Sequence, residues 1–131
     1  MTQPQSQSPA EPLRGSVRGF LPEHEGRQLY EWAHQAAPIG PLLEIGSYCG
    51  KSTIWLGQAA KAHGTVVFAL DHHRGSEEHQ PGESHHDEEL TNTAGQFDSF
   101  GEFRRNSAAA GLEATVIPIV ASSESVGPYW Q

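Results

Sequence analysis

The chain has few basic residues, and this shortage excludes two classes of partner. Eight Lys and Arg residues stand against 16 Asp and Glu residues, which leaves a formal net charge of −8. A nucleic-acid-binding protein needs a basic face to displace counterions from phosphates, and a helix that lies on a membrane surface is rich in Lys and Arg. The composition therefore predicts neither a nucleic-acid partner nor a membrane partner.

Cysteine and long hydrophobic segments are also scarce. The single cysteine, Cys49, excludes an internal disulfide and favours a reducing compartment. No segment approaches the ~20 apolar residues of a membrane-spanning helix. Residues 1–19 lack the apolar stretch of a signal peptide. The single cysteine therefore predicts a cytoplasmic protein.

Large apolar residues are missing from two segments in particular. Residues 1–19 are rich in Pro, Gln and Ser, which predicts a disordered leader. Residues 72–96 contain only Leu90 from the set of Leu, Ile, Val and Phe, and a polar loop of that length is usually functional or disordered. We therefore expect one folded domain over residues 20–131 that a polar loop interrupts at 72–96.

The rest of the sequence alternates between helical and strand patterns. Helices are predicted over 22–37, 52–62 and 97–110, and strands over 42–45, 65–70 and 114–120. The first two strands are continuous apolar runs, which are typical of strands covered on both faces. Strands that alternate with helices pair in parallel through right-handed crossovers. The fold class is therefore predicted to be α/β, a Rossmann-like three-layer sandwich with a partial parallel sheet.

Apolar spacing also predicts which sides of the helices are buried and where one strand lies. The residues that recur at helical spacing in the first helix are Leu29, Trp32, Ala33 and Ala36. The residues that share one side of the third helix are Phe97, Phe100 and Phe103. Pro118 removes a ladder donor from the third strand, so we expect that strand at an edge or with a bulge.

The strongest local signal is the segment EIGSYCGKST at 44–53, between the first strand and the second helix. Its glycines let the backbone turn sharply and approach a ligand, and the helix that follows offers free N–H groups. A phosphate loop needs four residues between its glycines, whereas three separate Gly46 from Gly50. The dinucleotide fingerprint requires glycine where Tyr48 stands. A nucleoside site without pyrophosphate is the third interpretation, with a P-loop-like nucleotide binder as an alternative.

The same segment resembles the first motif of the class I S-adenosylmethionine-dependent methyltransferases, an acid-x-Gly-x-x-x-Gly turn. A second matching feature is Asp71, which ends the second strand 21 residues beyond Gly50. The likeness is closest to the small-molecule O-methyltransferases of this class and covers about residues 20–126, the first half of that fold. The resemblance implies S-adenosylmethionine as cofactor and a small-molecule methyl acceptor.

The resemblance also implies eight cofactor-binding residues. These are Glu44, Gly46, Ser47, Tyr48, Gly50, Asp71, His72 and Ser122. Asp71 would accept hydrogen bonds from both ribose hydroxyls. Glu44 would orient the loop or reach the amino group of the ligand through water. Ser122 would lie near the adenine, although an ordinary turn residue explains Ser122 equally. No catalytic residue can be assigned from the sequence.

The polar loop contains five of the eight histidines, interleaved with acids. Imidazole and carboxylate together suit zinc, manganese, iron or nickel. The candidate metal ligands are His73, His79, His85, His86 and Asp87. Because the spacing matches no fixed metal motif, a solvated polar lid is the alternative reading. A non-catalytic metal-binding or regulatory protein is the corresponding alternative function.

Family members have seven strands, and their acceptor-binding groups commonly lie beyond the fourth. Three strands are predicted here, and ten residues follow Ala121. We therefore expect the chain to represent the cofactor half of the fold and to be catalytically silent by itself. A sheet of this kind exposes a strand edge and apolar surface, which favours self-association or a partner chain.

Overall fold

The fold consists of three strands and four α-helices in a computed structural model that describes residues 17–75, 79–80, 88–92 and 94–130. The helices are α1 (Glu23–Ala36), α2 (Lys51–Ala62), α3 (Phe100–Ala109) and α4 (Ser123–Val126). The strands are β1 (Leu42–Ile45), β2 (Val67–Asp71) and β3 (Val116–Val120). None of the helices in these ranges is both long and apolar enough to cross a membrane. The predicted disordered leader, residues 1–19, is wrong at its end, because Val17 is buried in the core. Residues 1–16 lie outside the described residues, so their disorder stays a prediction.

The strands form one parallel sheet in the order β1-β2-β3. In its register Leu43 pairs with Phe68, and Phe68 pairs with Ile117. Pro118 lies opposite Ala69 in β3, which borders the sheet formed by the described strands. Because the two strand-to-strand connections contain α2 and α3, the α/β, Rossmann-like class is confirmed. Among the described strands β3 lies at an edge of the sheet, as predicted.

The two faces of the sheet differ in how they are covered. On one face, Ala69 and Val116 belong to the buried core together with Ile54 of α2. On the other face, Leu43 is 42% exposed and Ile45 is 65% exposed. Within the described part of the chain, the expectation that both faces are covered is therefore wrong. The strands are apolar on both faces, but the long helices form a layer on only one of them.

Helix α1 packs on α2 through a face that shares only Ala33 with the predicted one. A Cβ atom at Gly26 would lie 2.2 Å from Nε1 of Trp55, so only glycine lets this indole approach the helix. That contact centres the buried face on Gly26, Tyr30 and Ala33. Trp32, which the spacing assigned to the buried face, is 60% exposed.

Helix α3 begins at Phe100 rather than at 97. Phe97 instead pairs with Thr91 in an isolated antiparallel bridge, and a side-chain oxygen of Asp98 accepts a hydrogen bond from the Phe100 amide at 3.0 Å. Phe97 and Phe103 are nonetheless both buried in the same core. Their apolar character was therefore informative about burial but not about where the helix starts.

Candidate functional site

The glycine turn joins the end of β1 to the start of α2 in a left-handed backbone conformation. The φ angles are +88° at Gly46, +50° at Tyr48 and +94° at Gly50. The Gly46 amide donates to the carbonyl oxygen of Leu70 at 2.8 Å, and the Gly50 amide donates to that of Ser47 at 2.9 Å. These bonds fix the turn against β2 and bring it directly to the first turn of α2.

The two glycines of the turn have different surroundings. A Cβ atom at Gly46 would meet no other atom within 4 Å, whereas one at Gly50 would lie 3.3 Å from a ring carbon of Phe103. Gly50 is therefore packed against the core. Gly46 has open space above it, where a ligand can approach the backbone closely, as the resemblance requires.

Glu44 lies buried beneath the turn. Its carboxylate accepts hydrogen bonds from the hydroxyls of Ser52, at 2.6 Å, and Thr53, both in the first turn of α2. Burial raises the pKa of Glu44, and the nearby Asp71 raises it further, against the opposing effect of the two hydroxyls. The Ser47 hydroxyl also favours the charged form, although no hydrogen bond of good geometry joins it to Glu44. Glu44 therefore holds α2 to β1, which agrees with a role in orienting the loop.

Asp71 ends β2 with its carboxylate facing the glycine turn. One oxygen accepts the Tyr48 amide at 2.8 Å, and the other accepts the His73 amide at 2.9 Å. Burial acts to raise the pKa of Asp71, but the amides of His73 and Tyr48 outweigh burial and lower it. An ionised carboxylate can accept about four hydrogen bonds. Both oxygens thus retain acceptor capacity for a diol.

His73 is buried just beyond Asp71, in a left-handed conformation with φ +61°. Its Nδ1 lies 2.8 Å from the Ser99 hydroxyl, and its carbonyl accepts the Ser99 amide at 3.0 Å. Its ring packs against the rings of Phe100 and Phe103, with centroids 5.3 and 5.2 Å away. His73 therefore ties the end of β2 to the start of α3.

The electrostatics of His73 follow from this packing. Burial lowers the pKa of His73, although the charges of Asp71 and Asp98 act to raise it. Within the described residues, its Nε2 is buried and has no hydrogen-bond partner. The ring is thus a neutral core group that fixes the backbone behind Asp71.

His72 and Ser122 lie near the same edge of the sheet. His72 is exposed, and its Nδ1 accepts the Arg74 amide at 3.0 Å. Ser122 caps α4 by accepting the Ser125 amide at 3.1 Å. The Ala121 amide donates to the carbonyl oxygen of Asp71 at 3.1 Å, which places Ser122 one residue from the end of β2. Ser122 thus acts as a turn and helix-cap residue, which was the alternative interpretation of the sequence. Its contact with adenine stays a prediction.

The candidate metal ligands are only partly within the described structure. His79 stacks on Tyr48 with ring centroids 5.6 Å apart and lies 5.3 Å from Phe97, while His73 is the buried group that bonds to Ser99. The remaining candidates, His85, His86 and Asp87, fall outside the described residues. The residues that can be described contain no group of three His, Cys, Asp or Glu arranged to hold a metal. A metal in this loop therefore stays a prediction.

A known protein family matches the part of the chain that contains the glycine turn and both acids. Residues 43–131 match the family described as a methyltransferase domain. This chain belongs to that family. The resemblance inferred from the glycine turn and Asp71 is confirmed, and we refer to the chain below as the methyltransferase domain.

Solved structures with the same fold are longer than this methyltransferase domain. The crystal structure of cofactor-bound Rv0187 from MTB has a TM-score of 0.58 and 21% identity, over 88% of this chain and 42% of that one. The O-methyltransferase TomG from Streptomyces achromogenes, involved in Tomaymycin synthesis and in complex with SAM, has a TM-score of 0.56 and 18% identity, over 84% and 38%. The chain thus spans about two fifths of the length of these structures.

Sequence reasoning missed the hydroxyl groups that position Glu44 and His73. Ser52 and Thr53 bind Glu44, and Ser99 binds His73. Hydroxyl residues in the first turn of a helix directly after a strand-end acid were a usable signal for the first pair. Nothing in the sequence pairs Ser99 with His73, because 26 residues separate them.

Proposed function

We propose that the methyltransferase domain binds S-adenosylmethionine at the carboxyl ends of β1 and β2 and serves methyl transfer to an oxygen of a small molecule. The observation that carries this proposal is the juxtaposition of an open glycine turn with an ionised acid. The space above Gly46 is open, and Asp71 reaches the Tyr48 amide of the same turn at 2.8 Å. Parallel sheets commonly bind nucleosides in this position.

The charges of the site favour this ligand over a nucleoside triphosphate. The carboxylate of Asp71 faces the turn, and Glu44 lies buried beneath it. A phosphate bound there would meet negative charge, whereas a sulfonium and a ribose diol would be attracted. The Lys51 ammonium donates to the carbonyl oxygen of Gly19 at 3.2 Å. Lys51, which stands where a phosphate loop has its lysine, is thus bonded to the backbone near the start of the described residues rather than directed at a ligand in the turn.

The residues of the site would act by binding and orienting the donor. S-adenosylmethionine, once bound, would supply a methyl group that its positive sulfur activates for transfer to an acceptor oxygen. Asp71 would fix the ribose, and the turn at Gly46 would fix the methionine end. Orientation of two reactants can account for ~7–11 kcal/mol of a barrier. The oxygen acceptor is suggested by TomG, which is described as an O-methyltransferase.

Calorimetry with S-adenosylhomocysteine tests the proposal. We expect saturable binding to the full chain and no binding of ATP with magnesium. Asp71→Asn should weaken binding by about 1.5–3 kcal/mol, the scale of hydrogen bonds to a charged group. Glu25→Gln, which neutralises an exposed acid on α1, is the matched control and should bind as the wild type does. Binding of ATP without any binding of S-adenosylhomocysteine would overturn the proposal.

Three finer expectations accompany this function. We expect the 131-residue chain to release no S-adenosylhomocysteine with phenols, catechols, sugars or carboxylates, because it spans about two fifths of the solved relatives. We expect the exposed sheet face around Ile45 to promote self-association or binding of a partner chain, which light scattering would detect. The cytoplasmic location stays a prediction that rests on the single cysteine.

A further inference from the structure

Two histidines face each other on the side of the helical layer, away from the glycine turn. His34 lies in the last turn of α1, and His63 follows the last residue of α2. His34 Nδ1 and His63 Nε2 are 3.0 Å apart, and the ring centroids are 4.4 Å apart with planes inclined by 56°. Both side chains are half-buried, so solvent reaches the pair.

We propose that His34 and His63 form a chelating site for a divalent transition-metal ion that clamps α1 to α2. Ring nitrogens bind such ions at ~2.0–2.1 Å. Two nitrogens at right angles around one ion are then ~3.0 Å apart, the separation that this pair has before any metal binds. Right-angle nitrogen ligation is typical of Ni²⁺ and Cu²⁺, with water in the remaining positions.

The surroundings of the pair favour a cation and a rigid site. Both histidines lie at the carboxyl ends of helices, where the helix dipoles stabilise positive charge. The helices are already fixed beneath the pair, because Tyr30 and Ala33 of α1 form a buried cluster with Trp55 and Ala59 of α2. The His34 ring also stacks on Tyr30 at 5.7 Å. The two ligands are therefore held in place by packing that does not depend on the metal.

The site exists only in the folded chain, so a bound ion should stabilise the fold. In sequence the two histidines are 29 residues apart, and only the packing of α1 on α2 brings their nitrogens together. An ion that binds the native state more tightly than the unfolded state raises the melting temperature. Binding also requires the donating ring to carry its N–H proton on the other ring nitrogen, so that both facing nitrogens offer a lone pair to the ion.

Thermal unfolding of the full chain with and without Ni²⁺ tests this proposal. We expect saturating Ni²⁺ to raise the melting temperature by about 5 °C or more and EDTA to reverse the increase. His63→Gln should abolish the increase. His24→Gln, an exposed histidine near the other end of α1, is the matched control and should retain it. A double variant, His85→Gln with His86→Gln, should also retain it.

Three results would overturn the proposal. They are no shift of the melting temperature in the wild type, a shift that persists in His63→Gln, and a shift that disappears in the double loop variant. The last result would place the metal in the histidine-rich loop. If His63→Gln fails to fold, the electron paramagnetic resonance spectrum of the double loop variant with one equivalent of Cu²⁺ decides. Coupling to two ring nitrogens supports the site, and coupling to none or to one contradicts it.

Discussion

The turn that follows β1 and the connection that follows β2 leave the same edge of the sheet but hold their acids in different ways. The first turn is short, and the hydroxyls of Ser52 and Thr53 bind Glu44 from the helix that follows it. The second connection is long, and Asp71 is held by backbone amides on either side. The first acid is withdrawn into the core, whereas the second keeps acceptor capacity at the surface. The comparison shows why the two acids of one motif pair should have different functions.

The largest expected effect separates the two glycines of the first turn. Gly50→Ala should destabilise the fold by about 3 kcal/mol, because a left-handed residue with a Cβ costs ~1–2 kcal/mol and the new methyl group also crowds Phe103 at 3.3 Å. Gly46→Ala should cost about 1–2 kcal/mol, since its Cβ meets only open space. Urea denaturation measures both variants. Equal losses would show that Phe103 does not restrict the turn.

A smaller effect compares the hydroxyls that serve the two connections. Thr53→Val removes the buried hydroxyl that donates a hydrogen bond to the ionisable Glu44, and it should destabilise the fold by about 2 kcal/mol. Ser99→Ala removes the partner of the neutral His73 ring and should cost about 1 kcal/mol. The same denaturation assay measures both. If Ser99→Ala were the more harmful variant, the connection after β2 would contribute more to stability than the turn after β1.

The smallest effect is a pH dependence of opposite sign at the two acids. The pKa of Glu44 is raised, so above pH 4.5 the native state binds more protons than the unfolded chain. The contribution of Glu44 to stability is lost as the pH rises through its pKa in the folded state. The pKa of Asp71 is lowered, so its contribution is present above 3.8 and is lost as the pH falls through the folded pKa. Glu44→Gln should therefore remove a loss of stability that occurs as the pH rises. Asp71→Asn should remove a loss of stability that occurs in acid. Stability curves of the two variants against pH measure this, and equal slopes would contradict it.

The histidine beside Asp71 also lowers stability in acid, and its effect begins at a higher pH than that of Asp71. The pKa of His73 is lowered, so below 6.5 the unfolded chain binds more protons than the native state. Its contribution to stability is present above 6.5 and is lost as the pH falls. The pH curves of the acid variants should therefore be compared in a His73→Gln background, which removes this titration.

Much of the first turn could be predicted from sequence because its determinants are local. The strand at 42–45 was predicted with its observed bounds, and the helix after Gly50 was predicted to within one residue. Gly46, Gly50 and Asp71 were identified from their spacing together with the resemblance to the methyltransferase motif. These residues act through backbone conformation and strand position, which a short segment specifies.

The rest depends on contacts between distant segments, which spacing does not encode. Trp32 fits the helical period of α1, but Gly26 admits Trp55 and turns a different face inward. Phe97 fits the period of α3, but it pairs with Thr91 instead. His73 was predicted as a metal ligand among polar neighbours, whereas the structure buries it against Phe103.

The most direct test of the central claim is a titration of the isotope-labelled chain with S-adenosylhomocysteine, followed by backbone amide resonances. We predict saturable shifts confined to the glycine turn at 46–50, to the residues from Asp71 to His73 and to Ser122 with its neighbours. The amide resonances of residues around His34 and His63, at the far side of the helical layer, should not shift. Saturable shifts elsewhere in the chain, or none in the folded protein at millimolar ligand, would contradict the assignment of this edge as the cofactor site.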